Sequence, residues 1–281
     1  MLPVPCYVSF TEQIKLSGAK TVFVPTKEEN NFRLTLDDIK QKFTKKTKAL
    51  LINSPNNPSG SVCRKEDLEK IADFVIENDL WVITDEIYEN LLYDNNEHIS
   101  IASISEDIKR RTITVNGVSK TYAMTGWRLG YVDGLKEIIS VMTKLQGHVA
   151  GNVNSIAQRA AIEALEGPQE VIENMRSEYN KRRDFMVDAF NSMKGISCNK
   201  PDGAFYVFPN ILNLYGSYFK NKEIKNETDV VNFILDEAHV AVVPGKAFEY
   251  PDHIRLTFAT SIESIKKGLE DIKRAIDKLS K

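Results

Sequence analysis

Three charged side chains in this chain sit where apolar sequence runs into a turn. Lys120 lies in Val115-Asn116-Gly117-Val118-Ser119-Lys120-Thr121-Tyr122-Ala123-Met124-Thr125-Gly126-Trp127-Arg128-Leu129-Gly130-Tyr131, behind the apolar run 112–115 and ahead of a turn of small residues. Most lysines are solvated charges. An amine held in apolar surroundings beside another cation is instead driven toward its neutral form, in which it attacks carbonyl carbon. Arg128 supplies the second cation, and a guanidinium between Trp127 and Leu129 calls for an anionic partner. Asp85 closes Trp81-Val82-Ile83-Thr84, and an aspartate at a strand end serves as readily to cap a helix as to catalyse.

Two further groups extend the set. Asn53-Ser54-Pro55-Asn56-Asn57-Pro58-Ser59-Gly60 follows a buried apolar run, and its prolines and glycine make a rigid turn at a sheet's carboxyl edge. Taken alone, that loop reads equally well as a plain strand-to-helix connection. Arg255, in His253-Ile254-Arg255-Leu256-Thr257-Phe258, interrupts an alternating strand, where pattern alone makes it an exposed residue on the polar face. Tyr88, three residues after Asp85, reads on pattern as core or rim.

The elements that must position these groups follow from periodicity. Short β-rich runs at 21–24, 49–53, 80–84, 112–115 and 128–132 alternate with helical patterns at 36–43 and 65–78. That alternation predicts a parallel sheet covered by helices, with Asn57, Asp85 and Lys120 converging on one edge. Residues 153–190 read as helix interrupted at Gly167-Pro168. Strands at 203–208, 240–243 and 253–258 and helices at 228–238 and 262–279 complete a smaller α+β unit, and the polar stretch 216–227 reads as a mobile loop. The expected fold is thus α/β, with a large domain over 1–170 and a small C-terminal domain with its connecting helix over 171–281.

Composition narrows the function classes. Against 37 Lys and Arg stand 39 Asp and Glu, a net charge of −2 that offers no general attraction to nucleic acid or anionic membrane. An anionic ligand must be held by local groups. Cys6, Cys63 and Cys198 are odd in number and far apart, which suits a reducing compartment, and the four histidines lack metal-ligand spacing. No apolar run reaches membrane-spanning length and no signal sequence opens the chain, so a cytoplasmic protein with no metal is expected.

The ordered set Asn57-Pro58-Ser59-Gly60, Asp85-Glu86-Ile87-Tyr88, Ser119-Lys120 with Gly126-Trp127-Arg128-Leu129-Gly130, and Ile254-Arg255-Leu256 resembles the fold type I pyridoxal-phosphate aminotransferases of class I, the aspartate aminotransferase group. The resemblance implies a pyridoxal 5'-phosphate cofactor, an amino acid and a 2-oxo acid as substrates, and a homodimer. It implies that Lys120 forms the Schiff base, that Asp85 pairs with the pyridinium nitrogen, and that Asn57 and Tyr88 hydrogen-bond the ring oxygen. Arg128 would bind the phosphate, Arg255 the substrate α-carboxylate, and Tyr7 would stack on the ring. Where relatives often carry serine three residues before the lysine, this chain has Gly117.

Gln146, His148 and Asn152 resemble the polar stretch beside the cofactor in bacterial-type aspartate aminotransferases, which favours aspartate as substrate, although surface polarity gives the same pattern. Family members begin well before this chain does, so an N-terminal segment contributing to phosphate binding and to the partner subunit's site is expected to be missing. Two alternatives to the transaminase therefore stand: a catalytically silent remnant acting as a binding or subunit-pairing module, and a carbon–sulfur β-lyase using the same lysine and aspartate.

Overall fold

The computed structural model describes residues 1–280 and shows an α/β architecture. Strands β1 (Leu2–Val4) and β2 (Phe23–Pro25) pair in parallel, with helix α1 (Val8–Leu16) between them. A four-stranded sheet follows, ordered β3 (Ala49–Asn53), β4 (Trp81–Asp85), β5 (Thr112–Gly117), β6 (Gly130–Asp133). Helix α2 (Leu36–Lys42) precedes β3, and α3 (Lys65–Glu77) carries the chain from β3 to β4, burying Leu68, Ile71, Ala72, Phe74 and Val75. That apolar face, three to four residues apart, meets Leu50, Ile52 and Val82 of the sheet in one core. The short helix α4 (Glu106–Lys109) leads into β5.

β3, β4 and β5 run parallel, and β6 is antiparallel to β5. The sequence predicts 128–132 as a strand of a parallel sheet, and the direction of β6 corrects that expectation. A parallel return needs a crossover long enough for a helix, and the segment 118–129 holds only a single 3-10 turn, Thr125–Trp127. The chain therefore doubles back, and Gly117 lies opposite Gly130. A Cβ at Gly117 would meet Leu129 O at 2.9 Å and Gly130 Cα at 3.0 Å, so a serine does not fit this register without movement.

Beyond the sheet come α5 (Lys136–Val149), α6 (Ser155–Glu166) and the long α7 (Glu170–Asn191), the last two separated at Gly167-Pro168 as the sequence predicts. Strand β7 (Tyr206–Val207) pairs antiparallel with β11 (Ile254–Thr257), which also pairs with β10 (Val243–Pro244). Helices α8 (Glu227–Ala238) and α9 (Ile262–Ile276) pack with α7 around a second core that includes Phe190, Phe233, Phe258 and Ile272. The segment 216–227, expected as a mobile loop, contains a hairpin of β8 (Tyr218–Phe219) and β9 (Lys222–Glu223). Backbone pairing of Tyr218 with Ser280 anchors it. Among the described residues no helix is long and apolar enough to cross a membrane.

The loop after β3 is seated by glycines. Gly60 has φ +70°, and its carbonyl accepts from Gly203 N at 2.8 Å. A Cβ on Gly60 would stand 2.3 Å from Pro201 Cβ, and one on Gly203 would stand 2.7 Å from Pro55 Cβ. The segment entering β7 thus lies directly against the loop that carries Asn57. Replacing Gly60 with alanine adds both a strained φ and an overlap with Pro201, and is expected to destabilise the chain by about 1–3 kcal/mol. A fall in the urea midpoint at unchanged slope checks this; an unchanged midpoint contradicts the close approach.

Candidate functional site

One open cavity of about 390 Å³ is lined by Tyr7, Asn57, Asp85, Tyr88, Lys120, Arg128 and Arg255, together with Asn53, Ile87, Ser119, Thr125 and Tyr206. The seven side chains to which the family resemblance assigns cofactor or substrate contacts all line it. The parallel register explains the convergence: Asn53 pairs with Asp85 at the carboxyl ends of β3 and β4, and β5 delivers the Lys120 loop beside them. Open α/β sheets present ligand-binding loops at that edge.

Hydrogen bonds fix the loop ends. Asn53 Nδ2 donates to Asp85 O at 3.1 Å while its Oδ1 accepts from Asn57 N at 3.0 Å, tying the two loops together. Arg255 Nη1 then donates to Asn57 Oδ1 at 3.0 Å, which brings β11 onto the same edge. The Arg255 guanidinium also lies 4.7 Å from the centre of the Tyr206 ring and 4.8 Å from that of Phe248. Pattern alone made Arg255 an exposed residue; in the fold it is half-buried, held between aromatic faces.

Neither Arg255 nor Arg128 has an ion-pair partner among the described residues, and Arg128 Nη1 donates only to Thr125 O at 2.8 Å. Arg128 adopts φ +55° and is exposed. The apolar flank inferred from Trp127 is itself solvent-facing. Two uncommitted guanidiniums on one cavity suit a ligand with two separated anionic groups.

Burial pushes the Asp85 carboxyl above its ordinary value of 3.8; the Ile87 N–H, donating to Oδ1 at 3.1 Å, opposes the shift, Glu86 adds to it and Lys120 offsets it. No further hydrogen bond to the Asp85 side chain exists among the described residues. Burial likewise lowers the Lys120 amine below its ordinary value of 10.5; Tyr7 raises it, Arg128 and Arg255 press it down, and Asp85 raises it. Its Nζ stands 5.6 Å from the centre of the Phe205 ring and 6.0 Å from that of Tyr88. The cavity therefore holds an under-partnered carboxylate and an amine biased toward neutrality.

Some expectations need correction. Gln146, His148 and Asn152 are exposed on and after α5 and do not line this cavity. Ser119 lines it, so a hydroxyl is present although Gly117 offers none. Glu86, Glu89 and His98, which the sequence did not bring together, place ligand atoms within 4.8 Å of one another. Glu86 there accepts from Thr84, Ser100 and His98, and Glu89 from Asn116. Sequence reasoning missed Asn53 and Tyr206 as lining residues. Asn53 stood in the quoted loop without a role, and nothing in the pattern of 203–208 separated Tyr206 from its neighbours.

Comparison with known proteins follows this geometry. The family described as aminotransferase class I and II matches residues 1–272. Aspartate aminotransferase of Bacillus subtilis is 41% identical over 280 residues, which is 100% of this chain and 70% of that protein. Aspartate aminotransferase of Pyrococcus abyssi is 45% identical over 280 residues, covering 98% of this chain and 69% of its own length. Among solved structures, the aspartate aminotransferase of Rhizobium meliloti superposes with TM-score 0.96 at 36% identity, over 99% of this chain and 70% of that one. An aromatic aminotransferase from Pyrococcus horikoshii gives TM-score 0.92 at 44% identity, over 98% and 72%.

The perturbed groups have a linked stability effect. Between 3.8 and its raised folded value, Asp85 binds more proton in the folded chain, so stability falls as pH rises through that window. For Lys120 the folded value lies below 10.5, the unfolded chain binds more proton between the two, and stability rises with pH there. At pH 7 the buried Asp85 charge is thus a cost. Asp85→Asn keeps an acceptor for Ile87 N and removes the charge, so it is expected to stabilise the cofactor-free chain by about 0.5–2 kcal/mol. The gain should shrink as pH falls through the carboxylate range. Chemical denaturation at pH 7 and pH 4 checks this, and destabilisation at pH 7 contradicts it.

Proposed function

The chain belongs to the class I and II aminotransferases, and from that premise we propose that this cavity binds pyridoxal 5'-phosphate and moves an amino group between an L-amino acid, aspartate-like by preference, and a 2-oxo acid. The observation that carries the reading is the meeting of Lys120, Asp85, Arg128 and Arg255 on one cavity.

The donor set fits the cofactor. Asp85 is a half-buried carboxylate whose charge would be relieved by the cationic ring nitrogen. Arg128 and Ser119 would offer a charge and a hydroxyl to the phosphate, Asn57 and Tyr88 would offer polar groups to the ring oxygen, and Tyr7, partly exposed, would supply an aromatic face. When bound, pyridoxal phosphate supplies an electron sink for the charge left at the substrate's Cα on loss of its proton. Asp85 keeps that sink effective by holding the ring nitrogen protonated.

Lys120 has two roles. Its amine would hold the cofactor and, when free, would carry on Nζ the proton released from the substrate's Cα. A lowered affinity for protons, arising mainly from burial, suits an amine that must act as base near neutral pH. Arg255 binds the α-carboxylate in a fork already oriented by Asn57, Tyr206 and Phe248, and so directs the Cα–H bond toward Lys120.

The preference for aspartate rests on the names of the aspartate aminotransferases above, while the aromatic aminotransferase shows that similar chains carry other names. A homodimer and a division at residues 1–170 and 171–281 belong to the same proposal, the division supported by the separate cores around β3–β4 and around α7–α9. A cytoplasmic setting is supported by three buried, unpaired cysteines.

The test is spectroscopic and enzymatic. Addition of pyridoxal phosphate to the purified chain is expected to give a visible band that Lys120→Ala abolishes, and aspartate with 2-oxoglutarate is expected to yield glutamate. Arg255→Lys keeps charge and loses the fork, raising the amino-acid KM roughly 10- to 100-fold. A chain with no Lys120-dependent band at saturating cofactor contradicts the reading; release of a thiol, pyruvate and ammonia from a cysteine thioether supports the lyase instead.

A further inference from the structure

Tyr206 lines the cavity, and neither the family motifs nor the sequence pattern assigned it a part. It is buried, as is Tyr88, and the two hydroxyls share one hydrogen bond at 2.9 Å. No other hydrogen-bond partner for either hydroxyl exists among the described residues. Behind Tyr206 stands the Arg255 guanidinium, 4.7 Å from its ring centre. Tyr88 lies on the segment that follows Asp85, and Tyr206 on β7 beside β11, so the pair joins the cofactor side of the cavity to its carboxylate-binding side.

Each hydroxyl has one proton, and which way the shared bond runs decides what the other proton can do. Burial raises both phenols. Tyr206 and Asp85 then raise Tyr88 further while Arg255 lowers it, and Tyr88 and Arg255 lower Tyr206 while Tyr7 raises it. The phenol beside the cation is the better donor, and the one beside the carboxylate the better acceptor.

We propose that Tyr206 is a positioning residue: it donates to Tyr88, leaving the Tyr88 O–H free to point at a ring oxygen in the cavity, while its ring braces Arg255 from beneath. The inference rests on the pyridoxal-phosphate reading above. It gives one side chain two separable effects, a hydroxyl effect on the cofactor and a ring effect on the substrate carboxylate. An accepted bond polarises the Tyr88 O–H and strengthens it as a donor.

The experiment is a double-mutant cycle on the full chain, reading the pyridoxal-phosphate dissociation constant from the visible band and, separately, the amino-acid KM. Tyr88→Phe is expected to weaken cofactor binding roughly tenfold and Tyr206→Phe roughly two- to tenfold, each through one lost hydrogen bond. Because Tyr206 acts through Tyr88, the double variant should bind as Tyr88→Phe alone does. Tyr206→Phe should leave the KM within about twofold, since the ring remains, and Tyr206→Leu should raise it roughly two- to fivefold by removing the face under Arg255. An unchanged urea midpoint in Tyr206→Phe guards against a folding defect in that variant. Unchanged cofactor affinity in Tyr206→Phe, or additive losses in the double variant, overturns the relay while leaving the transaminase reading intact. No band in the unmodified chain overturns both.

Discussion

The charge on Asp85 is the constraint around which the rest of this structure is arranged. A carboxylate partly withdrawn from water at the end of β4 gains one backbone hydrogen bond, from Ile87, and an amine nearby that is itself driven toward neutrality. A protein selected for stability alone would partner or expose such a group. Its neighbour Glu86 shows the contrast, since Thr84, Ser100 and His98 occupy its oxygens. One of two adjacent carboxylates is thus satisfied within the protein and the other holds a single backbone hydrogen bond. Functional sites are where such local cost is tolerated.

Holding that arrangement takes residues distant in sequence. Asn53 joins Asp85 to Asn57, Asn57 receives Arg255 from β11, and Gly60 and Gly203 let the two loops touch. Each bond is modest by itself, near 1 kcal/mol. Their value lies in fixing a guanidinium, an amine and a carboxylate on a common cavity before any ligand arrives, because orientation achieved in advance is not lost again at the moment of reaction. Tyr206 extends the same chain of contacts to Tyr88.

Much of this was legible in the amino-acid order because burial leaves a simple record. Ala49–Asn53 is apolar until its last residue, and its bounds are those expected from the pattern. The helix Lys65–Glu77 announces its buried face by spacing. Other parts leave no such record. Leu2–Val4 alternates with prolines and is too short to register, and α1 and α5 carry weak or largely exposed patterns, with no residue of α5 buried. The reversal of β6 is invisible because alternation encodes the face a side chain occupies and says nothing of strand direction. Tyr206 is one of 10 tyrosines, and only the pairing of β7 with β11 sets it beneath Arg255.

The central claim is that Lys120, among all the lysines of the chain, is the amine to which the cofactor attaches. Borohydride trapping after brief exposure to substoichiometric pyridoxal phosphate, followed by peptide mass spectrometry, tests it directly. The account predicts a reduced pyridoxyl label concentrated on the peptide containing Lys120 and diminished in Asp85→Ala, where the partner of the ring nitrogen is gone. Label spread evenly over exposed lysines, with no preference for Lys120, would contradict it.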